Sequence, residues 1–432
     1  MSIRRFNSAG EFLAQLQRSR EVSPELVETV RDIIATVRKE GDEALTEYTR
    51  RFDGVGRDSL AVTAEEWTES SGVDQETKDL LAEAASNIRR FHEQEFSRLE
   101  SWRIEEEGAT VGQQLVPLQR VGVYVPGGTA AYPSSVLMNV IPAQVAGVEE
   151  IAIVTPPVGE TGYINPMVLA AAEQLGIGEI YGVGGAQAVA ALAYGTESIR
   201  RVQMISGPGN KFVNEAKRQV FGQVGIDSLA GPSEILILAD VTADPALLAA
   251  DLLSQAEHDA DARAVLISPE KQVLDATAAE LGEQLETLPR REIAEESLRT
   301  GGGLILVGDL NEGIALTNEI APEHLELQVR DPEETLKKIR AAGAAFLGKY
   351  TPEPVGDYWA GSNHILPTGG SARYASALSV HDFVRWTSTV YYTEARLQKD
   401  GAKVSRFARL EGLEAHARAV DLRLKGKAGT GK

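Results

Sequence analysis

Several histidine, carboxylate and amide side chains are spaced so that they could perform acid–base or metal chemistry. Glu323 and His324 are adjacent in the segment IAPEHLEL, and Gln255 precedes His258 by three positions in SQAEHDAD. A histidine side chain is a natural general base near neutral pH, and a neighbouring carboxylate can activate water. Gln255 and His258 would share one helix face and offer an oxygen and a nitrogen to one cation. Taken alone, each pair is also typical of an exposed turn or a solvated helix.

Two C-terminal segments carry further candidates. Asp357 and His364 lie in EPVGDYWAGSNHILPTGG, a long irregular segment of a kind that is often functional. Glu411 and His416 lie in LEGLEAHARAV, five positions apart on the last predicted helix, so they would not share a face. By composition they are typical of an amphipathic helix. His92 stands among Arg, Glu and Gln residues and is predicted to lie on the surface.

Three glycine-rich turns could hold an anion. They are VPGGTA at 125–130, GVGGAQ at 182–187 and SGPGNK at 206–211, and each follows a predicted strand. Backbone amides can approach a phosphate closely at such turns. None is a full dinucleotide fingerprint, because Gln187 stands where the third glycine would be. Three in succession favour a nucleotide or phosphorylated ligand, although a plain tight turn also explains each one.

The elements that would position these residues alternate between strand and helix. From about residue 121, short β-branched runs such as VGVYV, EEIAIV, SEILILA and ARAVLIS are each followed by a helical pattern. This alternation predicts an α/β fold with two doubly wound, Rossmann-like parallel sheets. Helical patterns before residue 100 and near the C-terminus predict helical extensions; Ser23 and Pro24 begin one such helix as N-cap and first helical residue. Glu323 and His324 fall where a helix gives way to a strand, which we take as the ligand-facing edge of a sheet.

Composition excludes several functions. The chain has 432 residues, 43% of them hydrophobic, and a net charge of −20. Such a charge repels phosphate backbones and anionic lipids, so we expect small-molecule partners and no nucleic-acid or membrane binding. No apolar run is long enough to span a bilayer, and we expect a cytoplasmic protein. Cysteine is absent, which rules out thiolate metal ligands and covalent thiol catalysis.

Taken together, these segments resemble the histidinol dehydrogenase family over nearly the whole chain. The matching blocks are IDSLAGPSEILILAD with LLSQAEH, VGVYVPGG, GVGGAQA, GPGNKFVNEAKR, APEHLEL, GDYWAGSNHILPT and EGLEAHARAV, in the family's order. Many separated blocks in one order are far more specific than any single glycine pattern. The resemblance implies a zinc- and NAD-dependent four-electron oxidation of L-histidinol to L-histidine, through bound L-histidinaldehyde, at the end of histidine biosynthesis.

The resemblance also implies a role for individual residues. It makes Glu323 and His324 the catalytic pair. Zinc would be held by Gln255, His258, Asp357 and His416; the substrate would contact Ser233, Gln255, His258, His324, Asp357, His364, Glu411 and His416; and NAD would contact Tyr124, Gln187 and Asn210.

The family pattern further implies a homodimer whose sites are shared, because Glu411 and His416 would come from the partner subunit. We expect residues 26–123 with 235–376 to form the zinc-binding catalytic domain and 124–234 the NAD-binding domain. Residues 1–25 and 377–432 would be helical extensions and a dimerisation arm. Three alternatives stay open: a relative that oxidises another small alcohol, a zinc hydrolase with Glu323 as base, and a non-catalytic nucleotide-binding module.

Overall fold

The computed structural model describes residues 3–18, 23–127, 131–159 and 161–425. The chain divides into two compact units, the larger formed by Met1–Phe96 with Leu118–Phe383 and the smaller by Ser97–Pro117 with Val384–Lys432. Two parallel sheets and their helices make up the larger unit, while the smaller contains an antiparallel sheet and two helices. Within the described ranges, no helix combines the length and apolarity needed to cross a bilayer.

Strands and helices alternate through most of the larger unit, as the sequence predicts. The strands are β1 (Arg5–Phe6), β2 (Trp102–Glu106), β3 (Ala109–Pro117), β4 (Arg120–Tyr124), β5 (Glu150–Thr155), β6 (Ile180–Gly182), β7 (Met204–Ser206), β8 (Gly225–Ile226), β9 (Glu234–Ala239), β10 (Arg263–Ser268), β11 (Gly303–Leu306), β12 (His324–Gln328), β13 (Ala344–Leu347) and β14 (Val384–Tyr392). The helices are α1 (Ala9–Arg18), α2 (Pro24–Glu40), α3 (Asp42–Asp53), α4 (Ala64–Ser70), α5 (Gln75–Phe96), α6 (Pro133–Ala146), α7 (Pro166–Gln174), α8 (Gly185–Tyr194), α9 (Lys211–Val220), α10 (Pro245–Ala256), α11 (Lys271–Leu285), α12 (Arg291–Thr300), α13 (Leu310–Ile320), α14 (Pro332–Leu336), α15 (Glu353–Val355), α16 (Glu394–Leu410) and α17 (Glu414–Leu424). A π-helical turn covers Gly356–Ala360, and 3₁₀ turns cover Ser371–Arg373 and Val380–Phe383.

A six-stranded parallel sheet has the order β1-β11-β10-β9-β12-β13. Its central strand β9 is buried along its whole length, as expected for an Ile- and Leu-rich strand covered on both faces. The chain moves outward from β9 through β10 and β11, then crosses back to β12 on the other side of β9. This reversal between β9 and β12 is the switch point of a doubly wound sheet.

A five-stranded parallel sheet has the corresponding order β6-β5-β4-β7-β8, with its switch point between β4 and β7. The predicted glycine-rich turns follow β4, β6 and β7 and therefore lie at the carboxyl edge of this sheet. Part of the first turn, residues 128–130, lies outside the described residues. The predicted fold class, two doubly wound parallel sheets with helical extensions, is confirmed.

The N-terminal helices form the layer that the sequence predicts. α2 begins at Pro24, with the Ser23 side chain accepting a hydrogen bond from Leu26 N, and it buries Val30, Ile33, Ile34 and Val37. These side chains belong to the core around α8 and the five-stranded sheet. The long helix α5 packs against α6 and against the turn at Gly356–Ala360. α5 therefore reaches the segment that carries Asp357.

The smaller unit contains an antiparallel sheet of order β14-β3-β2, which the sequence pattern did not reveal. β14 pairs with β3 along its whole length, from Val384 opposite Pro117 to Tyr392 opposite Ala109. The C-terminal extension is thus a long strand followed by α16 and α17. Because both parallel sheets fall in one compact unit, the predicted boundary between a zinc-binding and an NAD-binding domain stays a prediction.

Candidate active site

Glu323 and His324 are both fixed by the backbone of one residue, Glu234. The Glu323 carboxylate accepts a hydrogen bond from Glu234 N (2.7 Å), and His324 Nδ1 donates to Glu234 O (3.0 Å). Glu234 begins β9 and His324 begins the neighbouring β12, so the pair lies beside the switch point. Both side chains are buried. A turn through Ala321, which adopts a left-handed conformation (φ 53°), ends α13 and delivers them to this place.

The hydrogen bond to Glu234 O decides the tautomer of His324. A carbonyl oxygen can only accept, so Nδ1 carries a hydrogen. Nε2 is buried and has no hydrogen-bond partner; its nearest acidic atoms are Asp357 Oδ1 at 3.6 Å and Glu353 Oε1 at 3.8 Å. A buried polar atom without a partner is costly unless a ligand satisfies it. The arrangement therefore suits a ligand that approaches the ring at Nε2.

This pair lies at the amino ends of the strands, so our prediction that a helix-to-strand junction is the usual ligand-facing edge of a doubly wound sheet was wrong. A helix that gives way to a strand does so at the strand's amino end, whereas the carboxyl edge is where strands give way to helices. α10 follows β9 and runs back across the sheet, so its last turn reaches the same amino edge. Gln255 and His258 are thereby brought to the edge that carries His324.

Gln255 and His258 contact each other where α10 ends. Gln255 is the penultimate residue of α10, His258 lies in the following turn, and Gln255 Nε2 is 3.3 Å from His258 Nδ1. The Gln255 side chain is fully buried and its Oε1 atom has no hydrogen-bond partner. Burial of the His258 ring lowers its pKa, while the charge of Asp357 acts in the opposite direction. The predicted pairing of these two side chains is therefore present.

Acidic side chains surround His324. His324, Glu353 and Asp357 form a group whose ligand atoms lie within 4.8 Å of one another, close enough to hold one metal ion. Glu353, on the short helix α15, is buried, and its backbone N–H donates to the Glu326 carboxylate (2.9 Å). The sequence analysis did not single out Glu353. The available signal was its place one helical turn before Asp357, where two acids would share a face.

Burial and the neighbouring charges raise the pKa values of Glu323 and His324 and lower that of Asp357. Burial is the largest influence on Glu323 and raises its pKa to about 8. Burial alone would lower the pKa of His324, but Glu323, Asp357 and Glu353 outweigh it and raise the pKa to about 10. Burial would raise the pKa of Asp357, but its interaction with His324 brings it down to about 2. A cation held by Asp357 would repel the imidazolium proton, so occupancy by a metal would favour the neutral ring, which is the form that can accept a proton.

Ser233 and His364 lie next to this group. Ser233 immediately precedes β9, where its carbonyl accepts a hydrogen bond from Arg263 N (2.9 Å). His364 Nδ1 donates to Asp357 O (3.2 Å), which leaves Nε2 as the acceptor of a neutral ring. Burial lowers the pKa of His364 and so favours that neutral form.

Glu411 and His416 lie in the smaller unit and are exposed. They are not on one helix as predicted: Glu411 is the C-cap of α16, and His416 is on α17. Among the described residues of the single chain, the group that could hold a metal ion includes neither His416 nor His258. Their predicted roles as a metal ligand and a substrate contact stay predictions.

The three predicted NAD contacts lie at the carboxyl edge of the five-stranded sheet. Tyr124 ends β4, and its buried hydroxyl accepts a hydrogen bond from Gly185 N (3.0 Å) at the start of α8; burial raises its pKa to about 12. Gln187, also on α8, is buried, and its Oε1 has no partner. Asn210 caps α9 by accepting from Phe212 N and Val213 N. Three different elements therefore converge at the place where a doubly wound sheet binds a nucleotide.

We expect Glu323→Gln to raise the melting temperature of the metal-free protein by at least about 2 °C. The folded carboxyl titrates at about 8, far above its ordinary value, so the unfolded chain is ionised over a range in which the folded chain holds a proton. The contribution of Glu323 to the free energy of unfolding therefore falls as pH rises through that range. Glutamine does not titrate, so the gain in stability of the variant over the wild type should be greater at about pH 9 than at about pH 6.

Thermal melts of the metal-free wild type and variant at both pH values measure this difference. Glu69→Gln is the matched control, because Glu69 is exposed on α4. An equal gain at both pH values would contradict the raised pKa of Glu323.

The fold and the site define the class of protein: an α/β protein with a buried Glu–His pair, a group of side chains close enough together to hold a metal ion, and a second doubly wound parallel sheet. The family model for histidinol dehydrogenase matches residues 16–424. The chain is 55% identical to the histidinol dehydrogenase of Geobacillus kaustophilus over 397 residues, which cover 92% of this chain and 93% of that one. The chain belongs to the histidinol dehydrogenase family, whose members are oxidoreductases.

Two further relatives support membership of this family. The histidinol dehydrogenase of Geobacter metallireducens is 52% identical over 432 residues, covering 99% of this chain and 98% of that one. A crystal structure of histidinol dehydrogenase from Elizabethkingia anophelis superposes with a TM-score of 0.92 at 38% identity, covering 99% of both chains. Sequence and fold therefore match this family from end to end.

Proposed function

We propose that the protein oxidises L-histidinol to L-histidine in two successive NAD-dependent steps, through bound L-histidinaldehyde, at the end of histidine biosynthesis. The observation that carries the proposal is the buried pair formed by Glu323 and His324, both anchored on the backbone of Glu234. One base and one carboxylate at fixed positions suit an alcohol oxidation followed by hydration of an aldehyde. Membership of the family supports histidinol as the substrate.

The residues present fit a zinc ion. Gln255 Oε1 is buried without a partner, His258 lies beside it, and Asp357 is ionised near neutral pH. Nitrogen and oxygen donors satisfy zinc without thiolates, in agreement with a chain that lacks cysteine. Gln255, His258, Asp357 and His416 of the partner subunit would hold the ion. When bound, zinc acts as a Lewis acid that orients the amine and imidazole nitrogens of histidinol.

In the first oxidation, His324 takes the proton of the alcohol at Nε2. Its Nδ1–H donates to Glu234 O, so the ring is held in the tautomer that leaves Nε2 as the basic atom. Burial excludes water from this atom and strengthens its interactions with nearby charges. Ser233, which precedes β9, His364, which contacts Asp357, and Glu411 of the partner subunit would bind the polar groups of the substrate.

In the second oxidation, Glu323 takes a proton from the water that adds to the aldehyde. Many aldehyde oxidations instead form a thiohemiacetal, but this chain has no cysteine, so water must attack directly. The hydrogen bond from Glu234 N holds the Glu323 carboxylate in place.

The cofactor would lie at the carboxyl edge of the five-stranded sheet. Tyr124, Gln187 and Asn210 converge there, and the unpartnered Oε1 of Gln187 is available to a donor on the nucleotide. NAD, when bound, accepts one hydride in each of the two oxidations.

The enzyme would be a homodimer. The smaller unit exposes an unusual number of large apolar side chains, which marks an interaction surface on a protein that otherwise has an acidic surface. They are Trp102, Ile104, Val111, Trp386, Val390, Tyr391, Tyr392, Val404, Phe407, Leu410, Leu413 and Leu422. Burial of this surface against a second copy would bring His416 and Glu411 to the partner's active site. A cytoplasmic location and the absence of nucleic-acid or membrane partners complete the proposal.

We expect about two NADH for each histidine formed from histidinol, lost when zinc is removed and recovered when zinc is restored. The measurement combines NADH absorbance with chromatographic quantification of histidine, before chelation, after chelation and after reconstitution. No NADH with histidinol from a folded, zinc-loaded dimer, but NADH with another amino alcohol, would assign a different substrate. Turnover of an ester or amide without NAD would instead indicate a zinc hydrolase.

A further inference from the structure

A buried polar network lies behind the segment that carries His364, and the reaction proposed above does not use it. Its centre is His92 on α5, which is 0% exposed, so our prediction of a surface position was wrong. His92 Nδ1 is 2.6 Å from the Glu95 carboxylate, and His92 Nε2 is 3.4 Å from the side-chain nitrogen of Asn363. A buried histidine that is hydrogen-bonded on both nitrogens has one fixed orientation.

Two backbone groups determine the orientation of the Asn363 amide. Its Nδ2 donates to Met138 O (2.7 Å), and its Oδ1 accepts from Ile365 N (2.9 Å). A flipped amide would place two acceptors together at Met138 and two donors together at Ile365. Asn363 must therefore present its second N–H to His92.

The Met138 carbonyl needs this donor because of a proline. Met138 lies on α6, four residues before Pro142, which has no N–H to offer it. The freed carbonyl is buried within the helix, and Asn363 satisfies it. The network thus joins α6, which follows the first glycine-rich turn, to the segment containing His364.

These constraints leave one tautomer for His92. Because Asn363 donates to Nε2, that atom must be the acceptor, and the hydrogen is on Nδ1 and is donated to Glu95. The side chains of Glu95, His92 and Asn363 and the backbone groups Met138 O and Ile365 N then all have hydrogen-bond partners. The network works only with a side chain that accepts at the position of Nε2.

Residues 363 and 365 are fixed on both sides of His364. α5 also packs closely on the same segment, since a Cβ added to Gly361 would lie 2.4 Å from Asn87 O. His364 then donates from Nδ1 to Asp357 O, which leaves Nε2 as an acceptor. A shift of this backbone would turn that acceptor away from its position.

We infer that His92 is a positioning residue: through Asn363 it holds His364 with Nε2 oriented to accept a hydrogen bond from the N–H groups of histidinol. The inference rests on the proposed function for the identity of the ligand. Asn363 is the chain neighbour of His364, whereas the proposed cofactor contacts Tyr124, Gln187 and Asn210 lie on other elements, so loss of His92 should weaken substrate binding more than cofactor binding.

Three substitutions test the network. His92→Leu removes the acceptor, His92→Asn places its amide at the level of Nδ1 and cannot reach Asn363, and His92→Gln places an amide oxygen near the position of Nε2. We expect the first two to lower kcat/KM for histidinol by about 10- to 100-fold, chiefly through KM. KM for NAD should change by less than about twofold, and His92→Gln should recover most of the loss.

His381→Leu is the matched control, because His381 is an exposed histidine of the same unit. Melting temperatures, with all assays well below the lowest of them, separate loss of folding from loss of positioning. Equal losses of kcat/KM in His92→Leu and His92→Gln would mean that the site needs only the volume of the ring. Parallel changes in the KM values for histidinol and NAD would mean that the substitution loosens the whole structure. Either result overturns the inference.

Hydrogen–deuterium exchange gives a readout that does not depend on activity. We expect the amides of residues 361–366 to exchange faster in His92→Leu and His92→Asn, and at the wild-type rate in His92→Gln. If the wild type failed to oxidise histidinol, the proposed function would fall, while exchange would still test the network. Unchanged exchange in His92→Leu would overturn the network itself.

Discussion

The His324→Gln enzyme will oxidise histidinol with a kcat lower than that of the wild type by about 10²- to 10⁴-fold. The substitution keeps a polar side chain of similar length but removes the basic Nε2 atom that the hydrogen bond to Glu234 O makes available. Initial rates of NADH formation from histidinol and from histidinaldehyde measure the effect on each step. The alcohol step should lose more than the aldehyde step, because only the alcohol must give its proton to His324.

Glu323→Gln should slow the aldehyde step more than the alcohol step. Loss of the carboxylate removes the base that activates water, so oxidation of the aldehyde should fall the most. If Glu323→Gln left aldehyde oxidation unimpaired while alcohol oxidation collapsed, the division of labour between the two residues would be wrong. The same variant should be more stable than the wild type in the metal-free state. A site that is less stable than its inactive variant keeps a carboxyl group whose burial lowers stability but which its chemistry needs.

The architecture of both parallel sheets could be predicted from the sequence because each strand and helix has a strong local pattern. Buried strands such as β9 and β12 are continuous apolar runs, and the helices between them recur at helical spacing. The glycine-rich turns were also placed correctly after their strands. By contrast, β3 and β14 pair across more than 260 positions in sequence, and β14 is exposed along most of its length, so neither burial pattern nor proximity pointed to their antiparallel sheet.

The sequence predicted which candidate side chains lie beside each other, but not the edge of the sheet that carries them. Adjacency in sequence was enough for Glu323 with His324 and for Gln255 with His258. The sequence did not show that α10 returns the chain to the amino edge, so that both pairs meet away from the glycine-rich turns. Topology, rather than local pattern, determines which edge carries the site.

Glu353 and His92 escaped prediction for a different reason. Burial of a charged or polar residue is imposed by its tertiary neighbours, and both lie in segments whose composition is polar. The backbone N–H of Glu353 donates to the buried carboxylate of Glu326, and α5, which carries His92, packs closely on the chain at Gly361. Neither contact has a signature in the local sequence.

Mixing inactive His416→Ala protein with inactive His324→Ala protein will restore activity if the active site is shared between subunits. In the heterodimer, the larger unit of the His416→Ala chain keeps His324 and meets the intact His416 of its partner, so one of its two sites is complete. Random exchange between equal amounts of the two proteins should therefore recover about a quarter of the wild-type activity.

Two substitutions that both lie in the larger unit provide the control. Glu323→Ala mixed with His324→Ala should recover nothing, because every site of that heterodimer carries one damaged catalytic pair. Subunit exchange can be followed by mass spectrometry with one isotope-labelled partner. No recovery in the first mixture, with exchange complete, would mean that His416 acts within its own chain. Because His416 is exposed on α17 of the single chain, beside the apolar surface of the smaller unit, we expect recovery.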